Sequence, residues 1–163
     1  MKCIRALMFE NPVIFDMGFN DTMSRMEQNN TAKQIMLTFG RNREHDQPFP
    51  LHLCNADPES QVMKELHKYI PPLYQPEFPM TVTHKNYLDI FPREKLVYLT
   101  PHCNTELTSY DPEAIYIIGG IVDKSNKEPL TWAKASREKI KMAKLPLDRY
   151  LLSFCINLYD NSM

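Results

Sequence analysis

A short apolar run, Ile115-Tyr116-Ile117-Ile118, stops at Gly119-Gly120 and then, past Ile121-Val122, delivers the carboxylate of Asp123. Asp123 is therefore the first candidate for chemistry. Glycines let a ligand or another backbone segment approach closely because they carry no Cβ, and they can adopt positive φ. Four glycines serve the whole chain, so this pair is half the supply. The competing reading of Asp123 is a turn or cap residue bonded to its own backbone, the commoner fate of an Asp after a strand, and local pattern alone favours it. Three further groups carry chemistry. Arg41-Asn42-Arg43 presents two guanidiniums that suit phosphate, although an exposed Arg pair usually has no specific ligand. His52 and Cys54 share a strand face, but no spacing supplies the further ligands a metal needs, which favours a packed pair. From Thr131 to Tyr150, Lys134, Arg137, Lys139, Lys141, Lys144 and Arg149 face only Glu138 and Asp148, a local net of +4 that leaves −5 for the rest of a chain whose total is −1. Such an excess suits phosphates, and a solvated helix face is the ordinary alternative.

Several chemistries are excluded. With glycines only at 18, 40, 119 and 120, neither G-x-G-x-x-G nor a P-loop can be written, and H-E-x-x-H and G-x-S-x-G are also absent. Cys3, Cys54, Cys103 and Cys155 form no C-x-x-C, which argues for reduced thiols rather than a zinc ribbon or disulfide scaffold. No apolar run reaches the length of a membrane span, and Met1 to Glu10 lacks the order of a secretory signal, so no membrane partner is expected.

The elements that must position these groups follow from periodicity. At 163 residues, 43% hydrophobic and 24% charged, the chain suits one domain, and 13 prolines make many connections stiff. Pro12 to Met17 reads as a strand ending in the carboxylate of Asp16. A helix is expected from Phe19 to Phe39, stopped by Gly40, with Arg41 to Gln47 as a polar loop. Leu51 to Cys54 is a second strand, and Asp57-Pro58 opens a helix whose buried face is Val62, Met63, Leu66, Tyr69 and Ile70. After a proline-rich connection, strands are expected at Met80–Thr83, Leu96–Leu99, the central run and Ile140–Ala143, with a helix at Thr131–Lys139. Strands alternating with helices predict an α/β layer on a mostly parallel sheet, where ligands gather beyond the carboxyl ends of strands.

Three segments carry a family resemblance. Val97-Tyr98-Leu99-Thr100, Tyr116 to Lys124, and Ala143-Lys144-Leu145-Pro146-Leu147-Asp148 resemble, in order and spacing, the tRNA (purine-9) N1-methyltransferase family of the SPOUT class. Upstream, Phe15-Asp16-Met17, the helix with Gln28-Asn29 and Gln34, and Arg41-Asn42-Arg43 resemble its mitochondrial branch, the methyltransferase subunit of protein-only RNase P. The resemblance implies a trefoil-knotted α/β fold over residues 1–151 and S-adenosyl-L-methionine as cofactor, held by Leu99, Thr100, Gly119, Gly120, Asp123, Lys124, Ser125, Asn126, Lys127, Thr131 and Leu145. It places Asp123 as general base, Gln34 at the target base and Asp16 as a second carboxylate candidate. Arg41, Arg43, Lys134, Arg137, Lys141 and Lys144 would then meet tRNA phosphates. Implied partners are tRNA or its precursor, a short-chain dehydrogenase tetramer and a metallonuclease subunit, in the mitochondrial matrix, with any targeting peptide outside this chain.

Two departures stand out. Glu44 replaces a family Arg, and residues 152–163 do not resemble the C-terminal helix that completes the family's knot and one wall of its cofactor pocket. A non-catalytic tRNA-binding or scaffold protein is the alternative that the divergent tail suggests.

Overall fold

The computed structural model describes residues 10–122 and 128–147. Six strands run in chain order: β1 Val13–Asp16, β2 Leu51–Cys54, β3 Thr81–Val82, β4 Leu96–Leu99, β5 Ile115–Gly119 and β6 Lys141–Ala143. Among the described residues three α-helices connect them: α1 Arg25–Glu44, α2 Gln61–Tyr69 and α3 Leu130–Arg137. All pairings are parallel, in the order β3-β2-β1-β5-β4-β6. The expected α/β layer on a parallel sheet is what forms.

The central strands form where they do because β1, β4 and β5 are apolar, largely β-branched or aromatic runs, the pattern of a parallel sheet covered on both faces. Leu96, Tyr98, Ile115 and Ile117 face the main core, while Val97, Tyr116, Ala114 and Ala143 pack into a smaller cluster. α1 lays Ala32, Ile35 and Phe39 into the main core beside Val62, Met63 and Leu66 of α2.

Helix boundaries depart from the periodicity reading. Residues Asn20–Thr22 form a 3-10 turn, and α1 begins only after Ser24. There Ser24 accepts from the Glu27 N–H while the Glu27 carboxylate accepts from the Ser24 N–H at 2.8 Å, a capping box. Gly40 does not stop the helix. Its missing Cβ faces open space, so glycine there costs only helix propensity, and Arg41, Asn42 and Arg43 form the last turn instead of a loop. Likewise Ser60, not Asp57, caps α2; Asp57 bonds the Glu59 N–H at 2.9 Å and shapes the turn before it. The proline-rich connection stays within the domain, pinned by buried Leu73 and Met80.

Among the described residues no helix is long and apolar enough to cross a membrane. The knot passage, the boundary at residue 151 and the divergent tail lie outside the described residues.

Candidate functional site

Strand register decides what meets at the carboxyl edge of the sheet. Asp16 of β1 stands opposite Gly119 of β5, Ile118 of β5 opposite Leu99 of β4, and Leu99 opposite Ala143 of β6. Three chain exits therefore lie side by side: Leu99-Thr100, Gly119-Gly120 and Lys144-Leu145. α3 closes over them. Its first turn brings the Thr131 hydroxyl to 2.8 Å from that of Thr100. A Cβ on Gly119 would stand 2.7 Å from the Thr131 methyl, so glycine there is what lets the helix approach. At Gly120 a Cβ would meet the Asp16 carbonyl oxygen and the Met17 sulfur at 2.9 Å. Neither glycine has a positive φ. Close approach, not left-handed backbone, is the reason for the pair.

Leu99, Thr100, Gly119, Gly120, Thr131 and Leu145, expected as one set, thus share one edge. Leu145 is exposed and Leu99 half-buried. Asp123, Lys124, Ser125, Asn126 and Lys127 lie outside the described residues. The chain leading to them is fixed, however, since the Val122 N–H donates to the Thr31 hydroxyl of α1 at 3.1 Å. Gln34 sits one helical turn beyond Thr31, with its side chain exposed. Thr31 is a positioning contact that sequence reading missed.

Asp16 takes a different place from the one expected. It is fully buried and accepts from the Gly18 N–H at 3.1 Å, Asn55 Nδ2 at 2.8 Å, Tyr98 OH at 2.8 Å and Lys134 Nζ at 2.6 Å, with Tyr87 OH at 3.3 Å. Asn55 reaches it from φ 54°, the left-handed region that Asn enters more readily than most residues. Tyr87 OH also bonds the Glu138 carboxylate. A carboxylate so enclosed and so supplied with donors is a structural group and has no access to a bound base. The same geometry corrects Lys134. Its side chain is 13% exposed, ion-paired with Asp16, and its ammonium lies over the rings of Phe19 and Tyr87, so it offers nothing to an RNA phosphate.

The remaining basic residues divide. Arg137 and Lys141 are exposed at the end of α3 and the start of β6, and Lys144 is half-buried. Arg41 and Arg43 are exposed in the last turn of α1, where Asn42 bonds both the N–H and the carbonyl of Phe49, just before β2. They stand at the amino edge of the sheet, in the last turn of α1, roughly 15–18 Å along the helix from Thr31, which holds Val122 beside the glycine exit. Among the described residues no group of His, Cys, Asp and Glu could hold a metal, and His52 packs against the Phe91 ring.

The buried cluster predicts a pH response. Burial first, then the charge of Asp16, pushes the phenols of Tyr87 and Tyr98 above their ordinary value near 10. Below that pH both folded and unfolded chains keep the phenols protonated, and the cluster's contribution to stability is complete. Above it the unfolded chain releases protons that the folded chain retains. Stability is therefore expected to fall as pH rises past 10, by about 1.4 kcal/mol per pH unit for each tyrosine. Denaturant melts from pH 8 to 11 check this: Tyr98→Phe should flatten the slope.

The profile of the family described as tRNA (guanine(9)-N(1))-methyltransferase TRM10/TRM10A matches residues 6–153. The chain belongs to the TRM10 family. This TRM10 chain is 46% identical over 150 residues to the mitochondrial ribonuclease P protein 1 homolog of Drosophila melanogaster, covering 92% of this chain and 34% of that protein. It is 34% identical over 153 residues to tRNA methyltransferase 10 homolog C of Homo sapiens, covering 92% and 37%. It thus spans about a third of the length of these relatives. The crystal structure of the full-length spTrm10–SAH complex superposes with a TM-score of 0.77 at 32% identity, covering 86% of this chain and 80% of that one. The TRM10 sheet described above is therefore the SPOUT-class arrangement the resemblance implied.

Proposed function

We propose that this TRM10 domain is the catalytic part of an S-adenosylmethionine-dependent tRNA methyltransferase acting on N1 of the purine at position 9. The observation that carries the reading is the convergence of Leu99-Thr100, Gly119-Gly120 and Leu145 with Thr131 at the carboxyl edge of a parallel sheet. This edge fits the cofactor chemically. Half-buried Leu99 and exposed Leu145 offer apolar surface to an adenine ring. The Thr100–Thr131 hydroxyl pair and the terminal peptide groups of the strands offer hydrogen bonds to its polar parts. Bound there, S-adenosylmethionine supplies an electrophilic methyl group.

The chain's own residues hold the base and manage its proton. Guanine N1 carries a proton that must leave, and in this reading the carboxylate of Asp123 accepts it. Adenine N1 already presents a lone pair, so there the carboxylate orients the ring instead. Gln34, on the α1 face that anchors Val122, can both donate to and accept from a base edge. Lys144 meets tRNA phosphates at this edge, Arg137 and Lys141 meet them at the start of β6, and Arg41 and Arg43 meet them at the end of α1, so binding weakens with salt. The likeness to a mitochondrial ribonuclease P protein supports a mitochondrial matrix location and a place in tRNA 5′ processing. The partners there are a short-chain dehydrogenase tetramer and a metallonuclease subunit.

Calorimetric titration of S-adenosylmethionine into the chain tests the reading. Saturable binding at one site, weakened by Gly119→Val, is the expected result. Absence of binding would overturn the catalytic assignment, and a chain that then still retains tRNA would be a scaffold.

A further inference from the structure

α3 is a weak helix by itself. It has eight residues, its N-cap is Pro129, and no side chain caps its first turn. Two turns of helix do not hold together in water without tertiary contacts. Yet its position matters, because Thr131 in its first turn fits against Gly119 and bonds Thr100. Leu130 packs against the main core, and one face of the helix carries the polar ties. Thr131, Lys134, Ala135 and Glu138 follow at helical spacing, and they meet Thr100, Asp16, the core and Tyr87 respectively.

The Lys134–Asp16 pair is an odd choice if stability were its only use. A buried ion pair is often no better than a well-packed apolar pair of the same volume, since both charges lose their hydration. What a buried pair with further hydrogen bonds does supply is a single permitted geometry, and Asp16 has its remaining lone pairs filled by Gly18, Asn55 and Tyr98. Asp16 is also the residue whose backbone carbonyl accepts the Gly120 N–H at 2.8 Å. One residue therefore registers both α3, through its side chain, and the glycine exit of β5, through its main chain. A Cβ at Gly18 would stand 2.8 Å from Lys134 Nζ, so the chain leaving β1 also leaves room for the ammonium.

We propose that Asp16 and Lys134 are positioning residues: their buried ion pair locks α3 onto the ends of β1 and β4 and so sets where Thr131 stands at the cofactor edge. The assignment rests on the cofactor reading above, and it gives Lys134 a role toward the cofactor instead of toward RNA.

The test compares Lys134→Met with the double variant Asp16→Asn/Lys134→Met, which leaves no uncompensated buried charge. Each is read by S-adenosylmethionine titration, tRNA binding, thermal melting and amide hydrogen exchange across residues 130–137. In the double variant the melting temperature is expected near that of the parent chain, and tRNA affinity unchanged. Cofactor affinity should fall about tenfold, and exchange in α3 should quicken by a similar factor. Lys134→Arg, which keeps the charge, should recover part of the loss. Parent-like cofactor affinity and parent-like exchange in the double variant would overturn the proposal. Should the parent chain bind no S-adenosylmethionine, the cofactor reading fails alone, and the exchange data still decide whether the pair fixes α3: quickened exchange supports it, unchanged exchange overturns it.

Discussion

Asp123→Asn is expected to lower single-turnover methylation of a guanine-9 tRNA by about 10²–10⁴-fold, the range for loss of a general base, with tRNA affinity retained. The change keeps shape and removes the acceptor for the N1 proton. An adenine-9 tRNA should lose far less, because its N1 has no proton to give up. Labelled methyl transfer and filter binding, run on the same preparations, separate the two effects. Equal rates for Asn and Asp on the guanine substrate would refute Asp123 as the base; equal losses on both substrates would mean that it binds the ring and nothing more. The Thr31 hydroxyl holds Val122, the residue just ahead of Asp123.

Asp16→Ala should act on stability first. It strands the Lys134 ammonium, 13% exposed and 2.6 Å from its partner, and removes the acceptor for Tyr98 and Asn55. Breaking one side of a buried pair costs about 3–5 kcal/mol, a large part of the stability of a domain this size. Urea unfolding gives the number directly. A loss under about 1 kcal/mol would show that the ammonium finds water or Glu138 instead, and that the cluster is looser than its distances indicate.

The sheet was legible because buried parallel strands are written as apolar runs: Val13 to Asp16, Leu51 to Cys54 and Leu96 to Leu99 fall within the segments read from the sequence, and β5 runs one residue past its run, into Gly119. Helix ends were less so. Gly40 is a stop signal by type, yet with its Cβ direction open to solvent nothing forces the chain to turn there. The better signal was Glu27 three residues after Ser24, a reciprocal cap that overrides the apolar residues preceding it. Of the site, the glycine pair and the three strand exits could be placed in advance. The Asp16 cluster could not. Asn55, Tyr87, Tyr98, Lys134 and Glu138 have no common spacing, and a lysine in a basic stretch looks like all its neighbours until the fold turns it inward. The trace that existed was Tyr98, a residue with a hydroxyl in the middle of a strand otherwise apolar, which asks for a buried partner.

The sheet order also says something about how the chain comes to be folded. β1 sits between β2, its neighbour in sequence, and β5, made only after α1, β2, α2, β3 and β4. Tyr87 and Tyr98 follow Asp16 by 71 and 82 residues, and Lys134 comes later still. A chain emerging from the ribosome can pair β1 with β2 under α1 early. Its central carboxylate must then wait, solvated, for a counter-ion that follows even Tyr98 in the chain. Pairings of such long sequence separation fold slowly. Final burial of β1 is thus gated by the arrival of α3, and nascent chains that stop short of Lys134 should remain open at the sheet centre and become substrates for proteolysis.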